Sequence, residues 1–117
     1  MTDIQYTQLI ENLNKATVSG KLKWSISNND STEFYAVINN CKITISVYYN
    51  SISKSNIAEL KLFNEDGNVI REYKYYESSK KEKYDEIDIL YDLVDDRYFM
   101  RSETENSIMK GLEEMLE

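Results

Sequence analysis

Between Glu33 and Tyr76 apolar and polar side chains alternate with a period of two, which predicts two successive β-hairpins. Phe34, Ala36 and Ile38 alternate with Tyr35 and Val37 as far as Asn39 and Asn40. Beyond them Cys41, Ile43, Ile45, Val47 and Tyr49 alternate with Lys42, Thr44, Ser46 and Tyr48. Asparagine tolerates the positive φ that a two-residue hairpin turn demands, so Asn39-Asn40 is the turn. Asn50 to Asn56 is polar and predicts a loop, after which Ala58, Leu60 and Leu62 alternate with Glu59, Lys61 and Phe63. In Asn64 to Asn68 a glycine, Gly67, stands where a longer hairpin loop needs a left-handed residue, and Val69 to Tyr76 is the return strand. One face of the resulting sheet is aliphatic and the other carries Tyr, Thr, Ser, Lys and Glu, as in an antiparallel sheet covered on one side.

On either side of the hairpins the period changes. Tyr6, Leu9, Ile10, Leu13, Ala16 and Thr17 share one face of a helix that Thr2 or Asp3 can cap and Gly20 can stop. Leu22, Trp24 and Ile26 then alternate with lysine and serine, predicting a first strand over 21–27 and a turn over 28–32. Glu77 to Lys83 predicts a polar loop. From Tyr84 onward Ile87, Leu90, Tyr91, Val94 and Tyr98 form a helical stripe. Ser102 followed by Glu105 fits a capping box, so a break near Arg101 and a last helix with Ile108, Leu112 and Met115 facing inward are expected; one continuous helix fits the same spacing. The reading is an α+β chain of one domain, 1–117: an N-terminal helix, a five-stranded antiparallel meander, and one or two C-terminal helices packed on one sheet face, with Trp24 at the junction.

Composition narrows the chemistry. The 117 residues contain no histidine, which removes histidine-activated nucleophiles, histidine general bases and the usual zinc and non-haem iron ligand sets. Cys41 is the sole cysteine, so neither an intrachain disulfide nor a CxxC motif exists, and its alternation with Ile43 places it on a buried or half-buried strand position. Non-catalytic action, with no cofactor and no metal, is the expectation. An enzyme built on carboxylates alone, as glycosidases are, would need a distinct pair, and no spacing singles one out. The chain has no apolar run of membrane-spanning length and no basic, apolar start of a signal peptide, which predicts a cytoplasmic protein. Abundant Asn, Ile, Lys and Tyr with no proline fit the codon usage of an AT-rich genome, such as a low-GC bacterium or its phage.

The runs Ala16 to Trp24, Leu60 to Gly67 and Ile89 to Val94 resemble a group of short α+β proteins of low-GC Gram-positive bacteria and their phages and mobile elements. The resembling motifs are a helix stop, a tryptophan strand and a hairpin turn. They imply the fold and bring no catalytic or ligand residues, and the chain departs from the group after Tyr98.

Charge is unevenly distributed. Residues 1–83 hold 11 basic and 10 acidic side chains, whereas 84–117 hold 3 basic and 11 acidic, within a net charge of -7. So acidic a chain is poorly suited to direct contact with nucleic acid or an anionic membrane. On a helix Asp85, Asp88, Asp92 and Asp95 fall in one ridge, with Asp96 beside its end. A solvated helix face explains such a ridge. So does docking on a protein partner with a basic surface, as in an inhibitor of the DNA-mimic, anti-defence type that blocks a nucleic-acid-binding site. A straight ridge lacks the convergence that a divalent cation requires. Tyr35, Tyr48, Tyr73 and Tyr75 form a secondary aromatic candidate, because tyrosine recurs at interface hot spots. An aromatic edge strand can also pair with a second copy, giving a homodimer. A further alternative is an oligomer that sequesters a nucleotide signal, with Lys21, Lys23, Lys42, Lys61 and Arg71 as the available cations.

Overall fold

A computed structural model describes residues 1–27 and 32–117. The elements are α1 (Asp3–Val18), β1 (Ser25–Ile26), β2 (Glu33–Ile38), β3 (Cys41–Asn50), β4 (Ser55–Phe63), β5 (Val69–Tyr76), α2 (Lys81–Phe99) and α3 (Arg101–Met115). The five strands form one sheet in chain order, every neighbour antiparallel. The α+β class, with its N-terminal helix, five-stranded meander and two C-terminal helices, matches the expectation from periodicity.

Both hairpin turns form as their residue types dictate. Asn39 and Asn40 take φ of 50° and 64°, the pair of left-handed residues that a type I′ turn needs. Gly67 takes φ 85°, and Asn64 Oδ1 accepts from the amides of Asp66 and Asn68 at 3.1 and 2.9 Å. The loop expected over 50–56 is shorter. Asn50 ends β3 and Ser55 begins β4, because Asn50 Oδ1 closes the turn on the amides of Ile52 and Ser53 while Lys54 takes the left-handed conformation.

The register places Ile43, Ile45, Ala58 and Leu60 on one face with Phe34 and Ala36. They are buried there against Tyr6, Ile10 and Leu13 of α1 and Tyr84, Ile87, Leu90 and Val94 of α2. The two helices run side by side in the same sense. Lys83 Nζ near the start of α2 lies 5.0 Å from the centroid of the Tyr6 ring near the start of α1. At the far end, Thr17 and Gly20 face Leu93, Val94 and Arg97 across a groove.

Three expectations are corrected. Of the strand expected over 21–27, Ser25 and Ile26 pair with β2 and the Ser27 amide donates to Glu33 O at 2.8 Å, while residues 21–24 do not join the sheet. Those residues wrap the end of α1, with Gly20 at φ 74°, the Leu22 amide donating to Ala16 O at 3.1 Å, and Trp24 Nε1 donating to Thr17 Oγ1 at 3.0 Å. The turn expected over 28–32 falls on 28–31, outside the described residues, apart from Thr32. The loop expected over 77–83 ends at Lys80, since Lys81 pairs with both Glu77 and Asp85 one helical turn away and joins α2.

The third correction concerns the C-terminus. The chain breaks at Met100, at φ 54° and ψ 40°, but the Ser102–Glu105 capping box does not form; Ser102 lies inside the first turn and turns back to Asp96. Ile108, Leu112 and Met115 do not face inward: they are 58%, 47% and 82% exposed. No residue of α3 is buried. The cover of the sheet is α1 and α2, and α3 stands off it.

Candidate interaction surface

The aspartate ridge lies on α2 as its spacing implies, yet its members differ in circumstance. Asp85 pairs with Lys81 at 3.2 Å, and Lys81 also reaches Glu77 at 3.8 Å. Asp95 receives Arg101 Nε at 2.7 Å, and Asp96 Oδ1 accepts from both the amide and the hydroxyl of Ser102 at 3.0 and 2.7 Å. These last two carboxylates are committed to the elbow between α2 and α3. Among the described residues the side chains of Asp88 and Asp92 have no hydrogen bond or ion pair.

Two titrating groups report the field around them. Asp88 is held above the ordinary carboxylate value, first by partial burial and then by Asp92, Asp85 and Glu77. The Tyr84 hydroxyl is pushed up to about 12 by burial and by Asp88, Glu77, Asp85 and Asp92. Negative potential therefore concentrates along Asp85 to Asp92 in the N-terminal half of α2, where like charges one turn apart repel and, among the described residues, Lys81 pairs with Asp85. Glu77 belongs to this cluster and precedes the helix. Its position four residues ahead of Lys81 was the sequence signal that could have found it.

The four candidate tyrosines do not form one patch. Tyr73 and Tyr75 pair across from Leu60 and Ala58 and pack under the helices, with the Tyr73 ring 4.5 Å from that of Tyr6. Tyr35 and Tyr48 lie on the opposite, open face. There Tyr48 lies beside Glu59, which pairs with Lys74 at 3.8 Å, and Lys74 stands 6.0 Å from the centroid of the Tyr76 ring. Period-two alternation separates these groups, because odd and even positions of one strand face opposite ways. Tyr76 joins Tyr35 and Tyr48 on the open side.

The cations considered for a nucleotide are likewise divided. Lys42 and Lys61 project from the open face, the former 4.5 Å over the Phe63 ring, whereas Arg71 lies opposite Leu62 on the covered side. Lys21 and Lys23 follow the end of α1. Lys23 instead meets Arg97, Trp24 and Tyr98 in a groove of about 570 Å³ between the ends of α1 and α2. Among the described residues no group of three or more Cys, Asp or Glu side chains is placed to hold a metal ion, and no helix is long and apolar enough to cross a membrane. Comparison with family models, curated proteins and solved structures found no match to this chain.

Proposed function

We propose that this is a non-catalytic interaction protein whose α2 carboxylates dock on a basic surface of a partner protein. The observation that carries the reading is the cluster of Glu77, Asp85, Asp88 and Asp92, in which, among the described residues, Lys81 is the one cation paired with a member. Fixed carboxylates with little internal compensation attract a cationic surface and speed its approach. The basic surfaces that cells maintain for phosphate backbones are the natural targets. Occupying one would exclude the nucleic acid, and a phage or mobile-element inhibitor of a defence nuclease, acting in the cytoplasm, is the concrete form of the proposal.

The test is an affinity capture from a low-GC bacterial lysate, run in parallel with the wild-type protein and with an Asp88→Asn, Asp92→Asn variant. Recovery of a nucleic-acid-handling protein by the wild type, lost in the variant and lost on washing at high salt, supports the proposal. Equal capture by the variant sinks the ridge as the contact.

A second reading rests on the groove between the ends of α1 and α2. Lys23 and Arg97 beside Trp24 and Tyr98 suit an aromatic molecule with an anionic group such as a nucleotide, against the Asp96 and Glu103 carboxylates that also line the groove, Asp96 being tied to Ser102. Quenching or enhancement of the single tryptophan's fluorescence on titration with mononucleotides would favour it over protein docking, since Trp24 lines that groove.

A further inference from the structure

α3 presents Ile108, Met109, Leu112, Met115 and Leu116 along one side, and all five are exposed. A 15-residue helix is marginal in water without tertiary support, and a contiguous exposed apolar stripe marks a contact surface. The base of the helix is nonetheless fixed. Asp95 holds Arg101, Asp96 holds Ser102, and the Arg101 guanidinium lies 4.6 Å from the centroid of the Phe99 ring. The start of α3 is therefore tied to the end of α2, and the stripe lies beyond that joint.

The same chain carries an apolar groove. Leu9, Leu13 and Ala16 of α1, with Leu22, face Ile38 at the edge of β2 across about 430 Å³, and Val37 lines the rim. Val37 and Ile38 are 59% and 40% exposed. The two-residue β1 covers β2 only at Tyr35 and Phe34, so no described strand flanks residues 36–38 on that side.

Charge selects between the occupants. Helix α3 bears Glu103, Glu105, Glu113 and Glu114 against Arg101 and Lys110, so two copies of α3 laid together would repel. The groove is lined by one charged residue, the cation Lys21. An acidic helix with an apolar stripe fits an apolar groove whose one charged lining residue is a lysine.

We propose that α3 of one copy seats in the α1–β2 groove of a second copy, and that the exchange is reciprocal about a two-fold axis. Reciprocity closes the assembly, since an unreciprocated arm-in-groove contact would propagate into a chain of molecules. This proposal is independent of the carboxylate cluster on α2.

The experiment is analytical ultracentrifugation of three proteins at micromolar concentration. The wild type sediments as a dimer. An arm variant, Leu112→Glu with Met115→Glu, and a groove variant, Ile38→Glu, each sediment as monomers, with association weakened about tenfold or more. All three substituted side chains are exposed, and unchanged circular dichroism verifies that each variant is folded. An equimolar mixture of the two variants then recovers dimer, because the groove variant still carries an intact arm and the arm variant an intact groove. A monomeric wild type overturns the proposal. So does a groove variant that remains dimeric, which would assign the contact to α3 pairing with α3, or a mixture that stays monomeric.

Discussion

Asp96 caps a helix to which it does not belong: its Oδ1 accepts from both the amide and the hydroxyl of Ser102, six residues further along and beyond the chain reversal at Met100. The first amides of a helix have no partner within it, and here the preceding helix supplies one. Asp96→Ala should therefore lower stability by about 1 kcal/mol and fray α3. Far-ultraviolet circular dichroism during urea unfolding would check this, with the helical signal starting lower than in the wild type. Asp95→Ala, which removes an exposed pair with Arg101, should cost less, roughly 0–1 kcal/mol.

Trp24 and Thr17 join the β1 approach to the end of α1. Thr17 Oγ1 donates to Leu13 O at 2.7 Å and accepts from the buried indole N–H at 3.0 Å. Thr17→Val keeps the shape but leaves that N–H without a partner, at an expected cost of about 1–3 kcal/mol. A double-mutant cycle with Trp24→Phe, read by chemical denaturation, should give a coupling energy of about 1 kcal/mol. Additive effects would mean that the hydrogen bond contributes nothing.

The Tyr6 hydroxyl is buried with no hydrogen-bond partner, and burial together with Tyr75 and Glu86 holds its proton more firmly than usual. Removing an unsatisfied polar atom is favourable, so Tyr6→Phe should raise stability by about 1 kcal/mol while preserving the ring contact with Tyr73. A urea midpoint below that of the wild type would show that the hydroxyl makes a bond in solution.

Asp88 sets a pH dependence whose sign follows from its raised folded-state pKa. The folded state holds the proton more tightly than the unfolded chain. Its contribution to stability is thus full below the ordinary value of 3.8 and is lost as pH rises through the raised value. At neutral pH Asp88→Asn should be more stable than the wild type, by a few tenths of a kcal/mol. The difference should shrink as the pH is lowered through the Asp88 titration. Thermal unfolding of both proteins between pH 3 and 7 would test this, and a pH-independent difference would contradict it.

Where local pattern and tertiary environment agree, the chain was legible. The type I′ turn at Asn39-Asn40, the β5 return strand and the buried face of α1 all follow from residue type and spacing alone. Three features followed from contacts that no local window contains. The stretch before β1 alternates like a strand, but the Trp24 indole is tied to Thr17, and Lys21 to Trp24 follow the helix end instead of a neighbouring strand. Ser102 and Glu105 have capping-box spacing, but Asp96 takes the serine from outside the motif. Ile108, Leu112 and Met115 have the spacing of a buried face, and periodicity states only that a face is apolar, never that something covers it. For the candidate surface, spacing identified the ridge, while the pairing of Asp85, Asp95 and Asp96 depended on Lys81, Arg101 and Ser102 being in reach.

The strictly sequential strand order governs how the molecule can assemble. Each strand pairs with its neighbour in the chain, so every hairpin closes a short loop and the sheet can zip from turn to turn with little entropy lost at each step. The first helix is the exception. Tyr6 meets Tyr73 only after all five strands have been made, and that contact closes a loop spanning more than half the chain. On this ordering a nascent chain emerging from the ribosome would hold the end of α1 through Trp24 early, while the start of α1 would lack its Tyr73 partner until β5 has been synthesised.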